Sequence, residues 1–259
     1  MDPISDWDRE VDESSPNKIL AQLFDDALAR DEFEFCCAIL RVRGMESAGW
    51  NPFYESLELI EQFNSLVPLA ETKLKVRLTL FLYCHMTEMY DFYAIPKNMI
   101  RILEGKRYSL SPFSRQAEPE EREEKYPGGK VARLCASATS IDAMDVKNLF
   151  DSLLIKEVRN AFYHSDYFLT EDSFVIRNGV GITLSRLTKK NIPFSWLMPR
   201  LYLGINTGLA LLDLLFAYRA SYTENKLVSG RMGGNGEYTD IELLASEESG
   251  LYGFQSAGI

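Results

Sequence analysis

The sequence predicts a mainly α fold: a helical bundle with a small β-hairpin or meander between its last two core helices. Three observations carry this. Apolar residues recur at helical spacing through most of residues 16–222, and the one strong period-two pattern is confined to about 167–185. The third is the long apolar stretch Leu201–Tyr218, which suits a central buried helix.

Ser15-Pro16 opens the first helix, with Ile19, Leu20, Leu23, Phe24, Ala27 and Leu28 on one face. The pattern resumes from Phe33 to Leu40 and stops before Gly44. Pro52 starts a second helix ending near Leu66. A third runs from about Pro68 to Phe92, where Pro96 is expected to break it and open a short piece from Ile100 to Leu103. Residues 109–129 read as a mobile acidic linker, too polar and too rich in Pro and Gly for a core element. A helix follows from about Lys130. The next is expected as one piece from Ser140 or Asp142 to Ser165-Asp166. Tyr167–Leu169, Phe174–Ile176 and Ile182–Leu184 alternate as strands between turn residues. A helix from about Pro193 to Tyr222 closes the core.

This divides the chain into an acidic flexible N-terminus (1–15), N-terminal helices (16–65), the main bundle (66–222) and a Gly-rich acidic C-terminal segment (223–259). Asn206 and Asp213 interrupt Leu201–Tyr218, so the expectation is a core helix with no membrane involvement.

Composition narrows the function. The 259 residues carry 38 Asp+Glu against 28 Lys+Arg, a net charge of −10, with only two His and four Cys. Cys36 and Cys37 are adjacent and no Cys-x-x-Cys occurs, which excludes a zinc ribbon and a disulfide framework. The acidic start lacks an apolar signal core, so a cytoplasmic chain is expected. Much of the acid lies in three segments, 1–14, 118–124 and 232–259, which read as tail or linker. With those set aside, 22 acidic and 26 basic residues remain, so net charge does not exclude a polyanionic partner. No Gly-rich phosphate loop, nucleophile elbow or metal-ligand cluster is present, and neither a metal nor another cofactor is expected.

The two histidines differ. His85 lies in the apolar helix FLYCHMTEMYDFY and is expected to be packed, with Glu88 at i+3 accepting its proton. His164 lies in Arg159-Asn160-Ala161-Phe162-Tyr163-His164-Ser165-Asp166-Tyr167, at a helix end before the first strand. Asn160 and His164 share a face at i, i+4, and Arg159 is adjacent, so the trio converges if the last turn unwinds slightly. A helix C-terminus favours a protonated imidazole, and an arginine fork suits a phosphate. Those are the parts needed to cleave an RNA backbone without metal: a cation on the phosphate and an imidazole to move protons. The plain alternative is a polar helix end in which Arg159 pairs with Glu157 or Asp166 and His164 caps.

Arg159-Asn160-x-x-x-His164 at the end of a bundle helix resembles the Arg-x4–6-His motif of HEPN (higher eukaryote and prokaryote nucleotide-binding) domains, over about residues 66–222. The resemblance implies an α-helical bundle and a metal-independent endoribonuclease of a bacterial defence or toxin–antitoxin type. It implies a homodimer in which two motifs form one composite site, with RNA as substrate and an antitoxin or other protein as partner. Carried over, Arg159 binds and polarises the phosphate, His164 is the general acid/base, and Asn160 orients the histidine or the substrate. Tyr167 resembles the tyrosine that follows the motif in some toxin members, but lies three residues past His164 rather than two. Tyr167 and Asp166 are thus candidate substrate-binding residues. A non-catalytic HEPN-like module that binds nucleotide, RNA or protein is the alternative.

Overall fold

A computed structural model describes residues 15–41, 52–114, 124–184, 187–232 and 237–257. Expectations for residues 1–14 and 115–123 lie outside the described residues. The chain is mainly α. Helices α1 (Ser15–Arg30) and α2 (Glu32–Leu40) are separated at Asp31, whose carboxylate caps α2 by accepting from the Glu34 N–H at 3.1 Å. Next come α3 (Pro52–Leu66), a 3-10 turn at Val67–Leu69, α4 (Thr72–Glu88) and α5 (Tyr90–Leu103). The second half holds α6 (Pro127–Ser140), α7 (Met144–Leu153), α8 (Lys156–Tyr163) and α9 (Phe194–Ala220).

Two helix boundaries depart from expectation. The break after α4 falls at Met89 (φ −59°, ψ 127°), and Pro96 lies inside α5. An interior proline costs about 3 kcal/mol. Burial of Phe92, Tyr93, Ile95, Met99 and Ile100 on the same helix outweighs it, at roughly 1.5–3 kcal/mol per large apolar side chain. The single helix expected from about 140 to 165 is two helices. Leu154 (ψ 106°) and Ile155 (ψ 80°) leave helical geometry, and the Ile155 N–H donates to the Tyr83 hydroxyl at 2.7 Å.

α9 packs on α1 and α4, with Gly204 and Gly208 set against Tyr83 and Met86. A Cβ at Gly208 would lie 2.3 Å from the Met86 sulfur, so the close helix approach requires glycine there. Among the described residues α9 is the one helix long and apolar enough to cross a membrane, yet half of its most apolar window is buried in the protein. Asn206 and Asp213 both lie on its exposed side.

Between α8 and α9 the expected strands form: β1 (Tyr167–Leu169), β2 (Ser173–Ile176) and β3 (Ile182–Leu184). Two more follow, β4 (Leu187–Lys189) and β5 (Asn191–Pro193). They make two units rather than one meander: an antiparallel sheet β1–β2–β5 and a separate β3–β4 hairpin.

The C-terminal segment 223–259, of which residues 232–259 were expected as tail or linker, is folded over its described residues. It holds an antiparallel meander of β6 (Lys226–Gly230), β7 (Thr239–Ser246) and β8 (Gly250–Ser256). Ile241, Leu243 and Ala245 alternate inward along β7, and Leu251 is fully buried. The sheet packs on α2 and α9, with Phe33 edge-on to Phe254 at 5.1 Å. The start of the expected linker is also tied down. Phe113 is buried against Tyr90, and Ser109 exchanges two 2.9 Å hydrogen bonds with the Asn98 side chain.

Candidate functional site

The site begins with Tyr83, a fully buried residue of α4. Its hydroxyl donates to the Leu153 carbonyl at 2.8 Å and accepts from the Ile155 N–H at 2.7 Å. One side chain thereby satisfies both backbone groups left open where α7 gives way to α8. Burial pushes the phenol's pKa up, so the hydroxyl keeps the proton it donates. Val158 and Ala161, at i and i+3, bury the inner face of α8. The remaining faces carry Arg159, Asn160 and Tyr163 outward.

α8 ends in a Schellman motif. His164 is the C-cap, and Ser165 follows in the left-handed region at φ 55°. The Asp166 N–H reaches the Ala161 carbonyl at 2.8 Å and the Ser165 N–H reaches Phe162 at 3.1 Å. Glycine is usual at the left-handed position; here serine holds it, so the motif was not legible as a Gly stop.

Arg159 is held by an acid from another helix. Its Nε and Nη2 both meet Glu88 Oε1 at the end of α4, and its Nη1 donates to Asn160 Oδ1 at 2.9 Å. The guanidinium carbon lies 5.4 Å from the Tyr163 ring centre. The Arg159 and Glu88 side chains are 21% and 37% exposed, so the pair is open to water on one side. Neither Glu157 nor Asp166 takes Arg159. Glu157 pairs with Lys156 at 3.8 Å, and Asp166 accepts from the Asn178 amide at 2.8 Å.

The other predicted residues are distributed as follows. His164 is exposed, and its imidazole has no hydrogen-bond, ion-pair or ring partner among the described residues. Arg159 and Asn160 are thus joined, while His164 stands apart from them. The Tyr167 ring stacks on buried Phe174 at 4.9 Å and lies 5.6 Å from Phe162, on the core side of the sheet. Asp166 lies just before β1, at the end of the sheet opposite the β1–β2 turn, its carbonyl accepting from the Arg177 N–H at 2.8 Å. Both were expected as substrate-binding residues; in the structure Tyr167 is packed and Asp166 ties the start of β1 to the end of β2.

His85 also departs from expectation. Glu88 is taken by Arg159, and His85 Nε2 is buried without a partner among the described residues, its ring parallel to Phe81 at 6.3 Å. Burial pushes its pKa down, which favours the neutral ring.

Sequence reasoning missed Tyr83 and Glu88 as parts of this site. The chain separations from their partners, 71 residues for Glu88 and Arg159, leave no local signal.

A cavity of about 130 Å³ lies elsewhere, lined by Tyr90, Asp91, Ile95, Asn98, Tyr108 and Arg41 among others. The Arg41–Asp91 pair, with two contacts of 2.6 Å, forms part of its wall. Among the described residues no group of three or more His, Cys, Asp or Glu is placed to hold a metal ion. Comparison with protein-family models, curated proteins and solved structures finds no match to the chain.

Proposed function

We propose that the chain is a metal-independent endoribonuclease of the HEPN type, a cytoplasmic helical-bundle protein that cuts RNA as a homodimer in a defence or toxin–antitoxin setting. The observation that carries the reading is the end of α8. An arginine and an asparagine are hydrogen-bonded to each other there, and an exposed, unengaged histidine follows at the helix C-terminus.

The chemistry follows from those groups. Arg159, braced by Asn160, holds the scissile phosphate and stabilises the charge that builds on it. One His164 takes the proton from the 2′-hydroxyl as its oxygen attacks phosphorus. The partner copy of the same residue gives a proton to the departing 5′-oxygen. The products are a 2′,3′-cyclic phosphate and a 5′-hydroxyl. An isolated chain carries one His164, which is why the reading requires two copies.

The Glu88–Arg159 pair must open for phosphate to enter. Partly exposed pairs contribute about 0–1 kcal/mol, while charge-assisted bonds to a phosphate are stronger than neutral ones, so the exchange is within reach of substrate binding. The same pair favours a second reading. If Glu88 holds Arg159 permanently, the chain is a non-catalytic HEPN-like module that binds nucleotide, RNA or a protein such as an antitoxin.

RNA cleavage in excess chelator separates the two. The nuclease reading expects cleavage by the wild type and its loss in Arg159→Ala and in His164→Ala. Equal cleavage by all three proteins, or none by the wild type, removes it. The dimer is read by light scattering, with a monomer at all concentrations contradicting the composite site.

A further inference from the structure

We propose that the tip of the α3–α4 hairpin docks on an anionic lipid surface, with Leu66, Leu69 and Leu74 entering the headgroup layer and Lys73, Lys75 and Arg77 pairing with lipid phosphates and carboxylates. The contact is peripheral, needs no spanning helix, and is argued without the ribonuclease reading.

The tip is where an apolar seam runs out of protein to cover it. Inside the hairpin Phe63 of α3 stacks on Phe81 of α4 at 4.7 Å. On α3 the next residue of that face, at i+3, is Leu66, the last of the helix. On α4 the same face runs back from Phe81 through Leu78 to Leu74, in the first turn. Phe63 and Leu78 are still packed on the core, whereas Leu66 is 48% and Leu74 50% exposed. The 3-10 turn between the helices is anchored by buried Val67 and ends on Leu69. Leu69 is 82% exposed, the most of any large apolar side chain among the described residues. Exposed apolar residues scattered singly need no explanation, but three gathered on one hairpin tip mark a contact surface.

Charge selects the occupant. Residues 64–78 hold three basic residues, Lys73, Lys75 and Arg77, against one acid, Glu71. None of the three cations has a side-chain ion pair or hydrogen bond among the described residues. At about 100° per residue, Lys73 and Lys75 flank Leu74 on either side, and Arg77 lies about 60° from it. The cations therefore frame the leucines, an arrangement in which long basic stems lie along the apolar stripe and their heads reach phosphates. They also occupy the start of α4, the end where the helix dipole disfavours positive charge, and no acid in its first turn offsets them. Helix stability does not account for them; an anionic surface does.

The acids of α3 stand off from the tip. Glu61 lies five residues before Leu66 and about 140° round the helix, and Glu58, further back, accepts from Gln62 at 3.0 Å. A second copy is a poorer occupant, because a two-fold contact here sets Lys73 and Lys75 against their own images. A soluble polyanion engages the cations but leaves the leucines in water.

The test is co-sedimentation of the full chain with vesicles of about one-third phosphatidylserine in phosphatidylcholine, and with phosphatidylcholine alone. The chain binds the anionic vesicles and is released by about 0.5 M salt. Leu69→Ser weakens binding about tenfold, the equivalent of one leucine leaving water. Lys73→Gln and Lys75→Gln weaken it about fivefold each. Leu227→Ser, which replaces an exposed leucine on β6, leaves binding unchanged. The replaced side chains lie outside the core, so each variant melts with the wild type. No sedimentation with anionic vesicles, or equal sedimentation with both kinds, overturns the proposal. So does full binding by Leu69→Ser with loss in the lysine variants, which leaves a site for any polyanion. A dimer that is lost in Leu69→Ser, while no protein binds vesicles, places the tip between two copies and overturns it as well.

Discussion

Replacing Tyr83 with Phe removes one oxygen atom from the joint that positions the candidate site. The ring stays, so packing against Gly204 is kept and no side-chain-sized cavity opens. What is lost is the partner of two backbone groups, the Leu153 carbonyl at 2.8 Å and the Ile155 N–H at 2.7 Å. Leu153 is 1% and Ile155 7% exposed, so water does not readily replace the hydroxyl. A buried group stripped of its partner costs about 1–3 kcal/mol; with two such groups, and the carbonyl the less demanding, the loss is about 2–4 kcal/mol. At roughly 2–4 °C per kcal/mol for a chain of this size, the melting temperature falls by about 4–16 °C. Thermal unfolding followed by circular dichroism measures the fall, and amide exchange at Ile155 locates it. A variant melting within about 1 °C of the wild type, with Ile155 still protected, would refute the reasoning that this one hydroxyl holds α8.

Three further outcomes are expected. Glu88→Gln removes the charge competing with phosphate at Arg159, so affinity for a fluorescein-labelled 2′-O-methyl decauridine, which the proposed chemistry cannot cut, rises by up to about fivefold, the equivalent of 1 kcal/mol; unchanged or weaker binding in fluorescence anisotropy contradicts the competition. Gly208→Val drives a branched side chain into Met86 and destabilises the α4–α9 contact by about 2–3 kcal/mol in denaturant unfolding. Lys97, buried beside Ser137, has its pKa pushed down to about 8 by burial, so the unfolded chain binds more protons than the folded one between about pH 8 and 10.5. Lys97→Met is therefore expected to gain stability over the wild type at pH 7 and to lose that advantage as pH rises from 8 to 10.5; an advantage flat across that window contradicts the assignment.

The residues that announced themselves in the sequence did so through local physics. The 3.6-residue spacing of Leu20, Phe24 and Ala27, and the alternation around Phe174, needed no distant partner to be read. The errors have two sources. One is composition read in place of pattern: the glycines and acids of 232–259 suggested a tail or linker, although Ile241, Leu243 and Ala245 alternate and are buried. The other is tertiary override. Pro96 does not end α5 because its neighbours are buried, and the break at Leu154–Ile155 exists because Tyr83, some 70 residues earlier, supplies the hydrogen bonds. The site divides in the same way. Arg159, Asn160 and His164 were legible from a six-residue motif at a helix end. Glu88 was noticed, but given to His85, because i+3 spacing is visible in a sequence and a cross-helix ion pair is not. Tyr167 was singled out for its position after the motif; strand alternation turns it inward, onto Phe174.

The central claim is tested most directly by the ends of the RNA fragments made in excess chelator. The account predicts 2′,3′-cyclic phosphate and 5′-hydroxyl ends from the wild type and no fragments from His164→Ala. Fragments made equally by His164→Ala, or an intact substrate with the wild type, would contradict it.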